Sequence, residues 1–375
     1  MQAAGAGKDV AKEQDQPDPW GSDSWANLVL ELESGSMPSG MAVGGSISNA
    51  STYMYNANNN SRAPFTWRIL GKDLSIPEYV KYRRVVGDGY KRIYVKSIDS
   101  NGLHTISTGD ATYVRDFAAD TYTSTGKTVA SISGSFTYGN LNTYNVPASI
   151  TVDGDEYTFA GYNLTLDSTG LLYIDTTNYK VFDDTKTGYQ YGRNCWAISD
   201  LRAWMSGNLT TRFTGTSGDA AEFTKYVVPC VNRTWVYPEE NYRTAIGNLT
   251  DGSICVQDSS DYYSITSDKF WLLGSKNMNV VGSWFKDNSY DTSVFSGVFS
   301  NVYNTDDQSG NIGEKNIKYL MDSTGSVGSS AGGWWLRSAY TNDSSGVGDV
   351  YDDGCVYSGN ASNSYGAVAP AVLIG

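Results

Sequence analysis

GGWWLRSAYTNDSSGVGDVYDDGCVYSGNASNSYGAVAPAVLIG (332–375) decides how the rest of the chain is read. It opens on the apolar block Trp334-Trp335-Leu336 and closes on another, Val368 to Ile374. Between them stand almost only Tyr, Ser, Asn, Asp, Gly, Thr, Ala and Val, and from Ser338 onward there is no Lys, Arg, Glu, Gln, His, Met, Phe or Trp. Two apolar strands around such an interior predict a rigid frame that presents tyrosines and small polar side chains, the composition of antibody combining loops. Tyrosine supplies flat amphipathic area at low entropy cost, and Asn, Asp and Ser supply adaptable hydrogen bonds. The candidate ligand-binding residues are therefore Tyr340, Asn342, Asp343, Ser344, Ser345, Asp349, Tyr351, Asp352, Asp353, Tyr357, Ser358, Asn360, Asn363, Ser364 and Tyr365. The plainer alternative is a solvated, turn-rich end of the fold with no partner.

Working outward, 375 residues exceed one small core and predict two or three domains, or one domain with a long insertion. Forty glycines and 28 tyrosines indicate many turns and short strands rather than a helical bundle. Residues 1–60 read as an N-terminal arm or attachment segment, polar and acidic at first and then rich in Gly, Ser and Asn. Within it, Trp25 to Leu32 could be one helical turn or a strand. The first firm strand is expected at Phe65–Leu70, and strand-like runs follow at 90–98, 103–107, 129–138, 148–152, 157–162 and 171–174. The stretch from about 120 to 180, rich in Thr and Tyr, reads as a β insertion. Helices are expected at SDLRAWMSG (199–207), stopping near Gly207, and at GDAAEFTKYVV (218–228), ended by Pro229. Lys269–Gly274 reads as a buried strand. The class is α+β, rich in β.

A net charge of −13 argues against nucleic acid or an anionic membrane surface as partner, since phosphate binding needs clustered cations. The one basic cluster, Lys81, Arg83, Arg84, Lys91 and Arg92, reads as the solvated face of a hairpin. No window approaches the roughly 18–20 apolar residues of a membrane span, so no membrane insertion is expected. The start lacks the apolar stretch of a secretory signal, so either the protein is not exported by that route or a leader has been lost. Cys195, Cys230, Cys255 and Cys355 are widely spaced, and with His104 as the single histidine zinc ligation is not expected. Disulfides and buried free thiols both remain open. Asp349, Asp352 and Asp353 are hard oxygen ligands close in sequence, but their spacing is not that of an EF-hand, and no metal or cofactor is expected. No carboxylate pair stands out for glycoside hydrolysis, and Cys195 reads as core rather than nucleophile.

Four landmarks carry a family resemblance: W-R-I-L at 67–70, C-W-A-I-S-D-L-R-A-W-M at 195–205, F-W-L-L-G-S at 270–275 and W-W-L-R-S at 334–338. S-Y-G-A-V-A-P-A follows at 364–371. Together they resemble a family of gut-bacterial and phage domains ending in W-W-L-R-S … G-V-R-P-A, although Ala369 stands where that pattern has arginine. The family is similar to C-type-lectin-fold, formylglycine-generating-enzyme-like modules and includes variable proteins of diversity-generating retroelements, of the phage tropism-determinant type. The resemblance implies a C-type-lectin-like domain over 61–375, with the β insertion inside it and a variable segment at 338–366. In such proteins, template adenines are randomised, which turns Asn codons into codons for the residue types found here and never into Lys, Glu, Gln, Met or Trp. It implies a non-enzymatic receptor-binding protein on a phage tail or virion, or on a bacterial cell surface. Its partner would be a cell-surface protein or glycan, and it would assemble as a homo-oligomer, with a trimer as one form. The alternative is a structural module of a virion or cell-surface assembly. A formylglycine-generating enzyme would need a reactive cysteine pair near the C-terminus, and Cys355 has no near neighbour in sequence.

Overall fold

The computed structural model describes residues 25–38, 41–47, 53–56, 61–139, 144–174, 177–185, 191–214, 220–278, 280, 284–286, 297–300, 313–323 and 326–375. With 43% strand against 15% helix, the fold is α+β and β-rich. Its centre is a five-stranded antiparallel sheet in the order Ser46–Ile47, Trp67–Lys72, Leu164–Ser168, Ala371–Ile374 and Val227–Val228. Trp67, Ile69, Leu70, Leu164, Leu166, Val372 and Leu373 are all buried, as expected for strands covered on both faces. The last strand of the chain thus lies beside the middle one, with Leu164 opposite Ile374, and the frame of the 332–375 segment is anchored there.

Helix α1 (Trp25–Glu33) buries Trp25, Leu28, Val29 and Leu32, spaced as one helical stripe, in the same core. Trp25 meets Phe223 edge-on with ring centres 5.0 Å apart. This part of the expected arm is therefore integral to the domain; residues 1–24 lie outside the described residues. Helix α2 (Asp200–Thr214) runs through Gly207, where a stop was expected. Leu201, Met205, Leu209 and Phe213 extend one buried stripe at four-residue spacing, and their burial outweighs the roughly 1 kcal/mol that glycine costs a helix. Helix α3 (Ala220–Tyr226) follows, and its Phe223 stacks on Trp67 at 5.3 Å. Lys269–Gly274 forms no strand; Trp271 exchanges two backbone hydrogen bonds with Ala371, and Leu273 accepts one from Arg337.

A β insertion was expected at about 120–180; the strands of a second sheet lie between Tyr79 and Phe159. A seven-stranded sheet runs Thr121–Thr128, Ala111–Asp116, Gly89–Lys96, Tyr79–Val86, Asp155–Phe159, Ser149–Val152 and Ser131–Ser133. It has its own core, with Val80, Tyr82, Ile93, Val95, Ile150 and Tyr157. The chain leaves the central sheet after Lys72 and re-enters it at Leu164, so residues 164–174 belong to the main body. Three residues of the basic cluster of this sheet are not on a solvated face, whereas Lys91 is exposed. Lys81, Arg83 and Arg92 converge on Glu33 of α1, each with a hydrogen bond of 2.8–2.9 Å. Burial alone would raise the Glu33 carboxyl, but Lys81 and Arg92 outweigh it and hold it at about 2. A second buried ion group, Asp167 with Arg68 and Lys318, crosses the central sheet.

A third sheet, Cys230–Val236, Asp261–Asp268 and Ile254–Asp258, packs beside helix α4 (Glu240–Gly247). The four cysteines are free thiols, and burial pushes that of Cys195 up to about 12, far from a nucleophile's range. Among the described residues, no helix is long and apolar enough to cross a membrane.

Candidate ligand-binding face

The segment 334–360 folds into a three-stranded antiparallel sheet, Trp334–Ala339, Gly346–Val350 and Val356–Asn360. Alternation along these strands separates two faces. On one, Trp334 lies opposite Val350 and Val350 opposite Val356, all three buried in the main core. On the other, Trp335 lies opposite Asp349 and Asp349 opposite Tyr357.

Over this second face the aromatic rings gather. Tyr365 stacks on Trp335 with centres 5.8 Å apart. Tyr351 stands 4.6 Å from Tyr357 and meets Tyr365 nearly at right angles, 6.2 Å away. Two glycines make this possible. A Cβ on Gly366 would collide with the Trp335 indole, and a Cβ on Gly359 would collide with the Tyr365 hydroxyl and sit 3.1 Å from Asp349 Oδ2. Tyr365 thus lies flat across the sheet with its hydroxyl beside the carboxyl group of Asp349. Trp335, expected only as frame, is also the wall of this cluster, fixed by its Nε1 donating to the Lys180 carbonyl at 2.7 Å.

Asp349 was expected on the surface, and the structure buries it to 1% exposure in the middle strand, beneath the tyrosines. Among the described residues, neither carboxyl oxygen has a hydrogen-bond partner. Burial pushes the carboxyl up to about 7; the nearby Tyr365 hydroxyl and the residue's own backbone amide oppose this, neither in the geometry of a formed hydrogen bond. Burial, together with the Asp349 charge, also raises the Tyr365 and Tyr351 hydroxyls. Leaving such a group unpaired is unusual in a folded protein.

The other predicted residues divide into two groups. In the 351–357 turn, Asp352 and Asp353 are exposed, and Asp353 accepts from the Cys355 amide at 2.8 Å. Asn316 pins the turn by donating to the Gly354 carbonyl. Asn363 is half-buried, and Ser364 is exposed in the turn leading to Tyr365. Ser358 and Asn360 are half-buried on the face opposite to Asp349.

The second group, in the 340–346 loop, is engaged internally. Asp343 Oδ1 accepts from the amides of Ser345 and Gly346 and from the Ser345 hydroxyl, and Asn342 donates to the Tyr340 hydroxyl at 2.9 Å. The Ser344 carbonyl accepts from Tyr242 at 2.6 Å and from the Asn194 amide at 3.0 Å, while the Asn194 side chain reaches the Asp343 carbonyl at 2.8 Å. Tyr340 packs edge-on against Trp284 and Phe285. These residues hold the end of the sheet in shape. Asn194 and Tyr242, which do the clamping, carried no binding signal in the sequence beyond the position of Asn194 next to the Cys195-Trp196 landmark.

Asp349, Asp352 and Asp353 do not converge, and among the described residues no three His, Cys, Asp or Glu side chains are placed to share a metal ion. The face can offer flat aromatic area, hydroxyl groups, negative charge and one buried carboxyl group.

A family model described as Domain of unknown function (DUF6273) matches residues 169–375. The match begins just after the strand Leu164–Ser168, takes in the whole candidate face and leaves out the seven-stranded sheet. No curated protein and no solved structure matches the chain.

Proposed function

For a chain that belongs to the DUF6273 family, we propose a non-enzymatic role in ligand binding, with the Tyr351, Tyr357 and Tyr365 cluster as the contact surface. The observation that carries this reading is an acidic, tyrosine-lined face on a sheet whose reverse side packs Trp334, Val350 and Val356 into the core. Tyr351 and Tyr365 are each 38% exposed although their neighbours Val350 and Gly366 are buried, and a solvated loop has no need of three adjoining rings. The target is a cell-surface protein or glycan, met from a phage tail or virion or from a bacterial surface, and a homo-oligomer would raise avidity by presenting several such faces.

The fold is of the C-type-lectin kind. In support, the strand Trp67–Lys72 and the terminal strand Ala371–Ile374 flank one common strand, so both ends of the domain meet in a single sheet. The residue types from Ser338 to Gly366 fit diversification by an adenine-randomising retroelement. A reverse-transcriptase gene beside a near-copy of this segment, differing only at adenines, is the expected genomic context.

A photo-crosslinking amino acid at position 351, with position 85 at the exposed hairpin tip as control, tests the binding role on a panel of intact bacterial cells. Adducts with a cell-surface molecule from 351 alone are expected. Adducts only between copies of this chain would favour a structural module of a larger assembly, and equal labelling from both positions would refute a specific face.

A further inference from the structure

The chemistry of the ligand can be read from the unpaired carboxyl group. Asp349 is 1% exposed, its two oxygens have no hydrogen-bond partner among the described residues, and its side chain runs along the sheet towards Gly359 under the Tyr365 hydroxyl. The ionisable groups around it are Tyr365, Tyr351 and, across the strand pair, Tyr357, with Asp353 and Cys355 beyond Tyr357 in the turn. No cation holds it. Residues 338–375 contain no Lys or Arg, and Lys180, which the backbone brings alongside at Gly366, turns its ammonium over the Trp204 ring at 5.0 Å.

A buried carboxyl group with two free acceptors calls for N–H donors. Tyr351 and Tyr365 meet at 85°, and Tyr357 lies against Tyr351, so the three rings form a corner. Such a corner suits a cation, which the negative ring faces attract within about 6 Å. An anion would face Asp349, Asp352 and Asp353 with nothing to offset them. A neutral sugar would leave the acid to be desolvated for a weaker hydrogen bond. A quaternary ammonium would satisfy the rings but not the two acceptor oxygens.

We propose that this face binds a primary alkylammonium group, with Asp349 as its counter-ion and Tyr351, Tyr357 and Tyr365 as its walls. The assignment rests on the reading of this face as a ligand-binding surface and names what it recognises. The incoming ammonium displaces the Tyr365 hydroxyl from beside the carboxyl group, and the proton of Asp349 passes to solvent as the ion pair forms. A lysine side chain of a surface protein and an amino sugar of a glycan share this group.

Calorimetric titration of the full chain with n-butylammonium tests the proposal, with n-butanol and tetramethylammonium as controls. Butylammonium should bind at pH 8 and butanol should not. With an Asp349 carboxyl near 7, affinity at pH 5.5 should fall roughly 30-fold, in proportion to the ionised fraction. Near pH 6.5, binding should release about three-quarters of a proton, seen as a dependence of the heat on the buffer. Asp349→Asn should weaken binding at least tenfold, and exposed Asp352→Asn should change it little. Should Asp349→Asn not fold, proton release from the wild-type chain decides alone. Nα-acetyl-lysine methylamide and glucosamine, titrated separately, distinguish the protein source from the glycan source. Butylammonium that fails to bind at pH 8, binds equally to Asp349→Asn, or binds without proton release overturns the assignment. If it fails while cell binding still depends on the three tyrosines, only the ammonium chemistry falls. If cell binding is indifferent to them, the binding face falls as well.

Discussion

Replacing Asp349 by Asn should make the protein more resistant to unfolding at alkaline pH, and the gain should vanish towards acid. The carboxyl is pushed from an ordinary 3.8 to about 7 by burial. A folded-state value above the unfolded one means that the native protein holds a proton which the unfolded chain has released. Stability is therefore full below about pH 3.8, falls as pH rises, and has lost its whole share once the pH passes 7. At 1.36 kcal/mol per unit the total is about 4 kcal/mol, of which about 3 kcal/mol accrues between pH 5 and pH 8. Asparagine never ionises and escapes this loss. Its amide brings N–H donors to a place without acceptors and costs about 1–3 kcal/mol at every pH. The diagnostic is therefore the change in the difference between the two proteins rather than the difference at one pH. For a folding unit the size of residues 169–375, about 3 kcal/mol corresponds to roughly 6–12 °C in midpoint. Thermal unfolding of both proteins at pH 5, 6, 7 and 8, in buffers of equal ionic strength, reads this directly. Parallel curves for wild type and variant would mean that Asp349 ionises as in water, and the account of an unpaired buried carboxyl would be wrong.

Glu33→Gln should cost about 3–5 kcal/mol at pH 7, because it leaves the buried Lys81 ammonium without its partner. The Glu33 carboxyl is depressed to about 2, so its contribution is present above about pH 4.5 and lost as pH falls through 2; the gap between wild type and variant should narrow over that window in acid-unfolding curves. Gly359→Ala places a methyl group against the Tyr365 hydroxyl and should cost about 1–3 kcal/mol by overpacking, with loss of butylammonium binding in calorimetry. Asn194→Ala removes the clamp on the 340–346 loop; about 1 kcal/mol of local stability should go, seen as faster hydrogen exchange at the Ser345 and Gly346 amides, with Asp349 unaffected.

What could be read from the sequence follows the strength of local signals. The two apolar blocks of the 332–375 segment are buried strands because nothing in them tolerates water, and Trp67–Lys72 is as plain. Helix α1 was hidden because nine residues surrounded by glycine, serine and acidic chain give a weak period; its burial depends on Phe223, nearly two hundred residues later. The excursion from Tyr79 to Phe159 was misplaced because only its second half is enriched in Thr, while Leu164–Ser168, where the chain re-enters the central sheet, reads Leu-Thr-Leu-Asp-Ser and carries little apolar signal. The cations at 81–92 alternate as a solvated strand would, and only the distant Glu33 turns three of them inward. At the site, the tyrosines were legible as a surface from composition. The burial of Asp349 was not, since it depends on Gly359 and Gly366 allowing Tyr365 to lie over the sheet. Composition marks which residues could touch a ligand, and the register of the strands determines which of them share one face.

The central claim, that this tyrosine face meets a cell-surface target, is tested most directly by labelling intact cells of a bacterial panel with fluorescent wild-type protein and with the triple variant Tyr351→Ala, Tyr357→Ala, Tyr365→Ala. The wild type should label a subset of strains, and the triple variant none of them, while its circular dichroism stays that of the wild type. A correctly folded triple variant that labels the same strains as brightly as the wild type would contradict the claim.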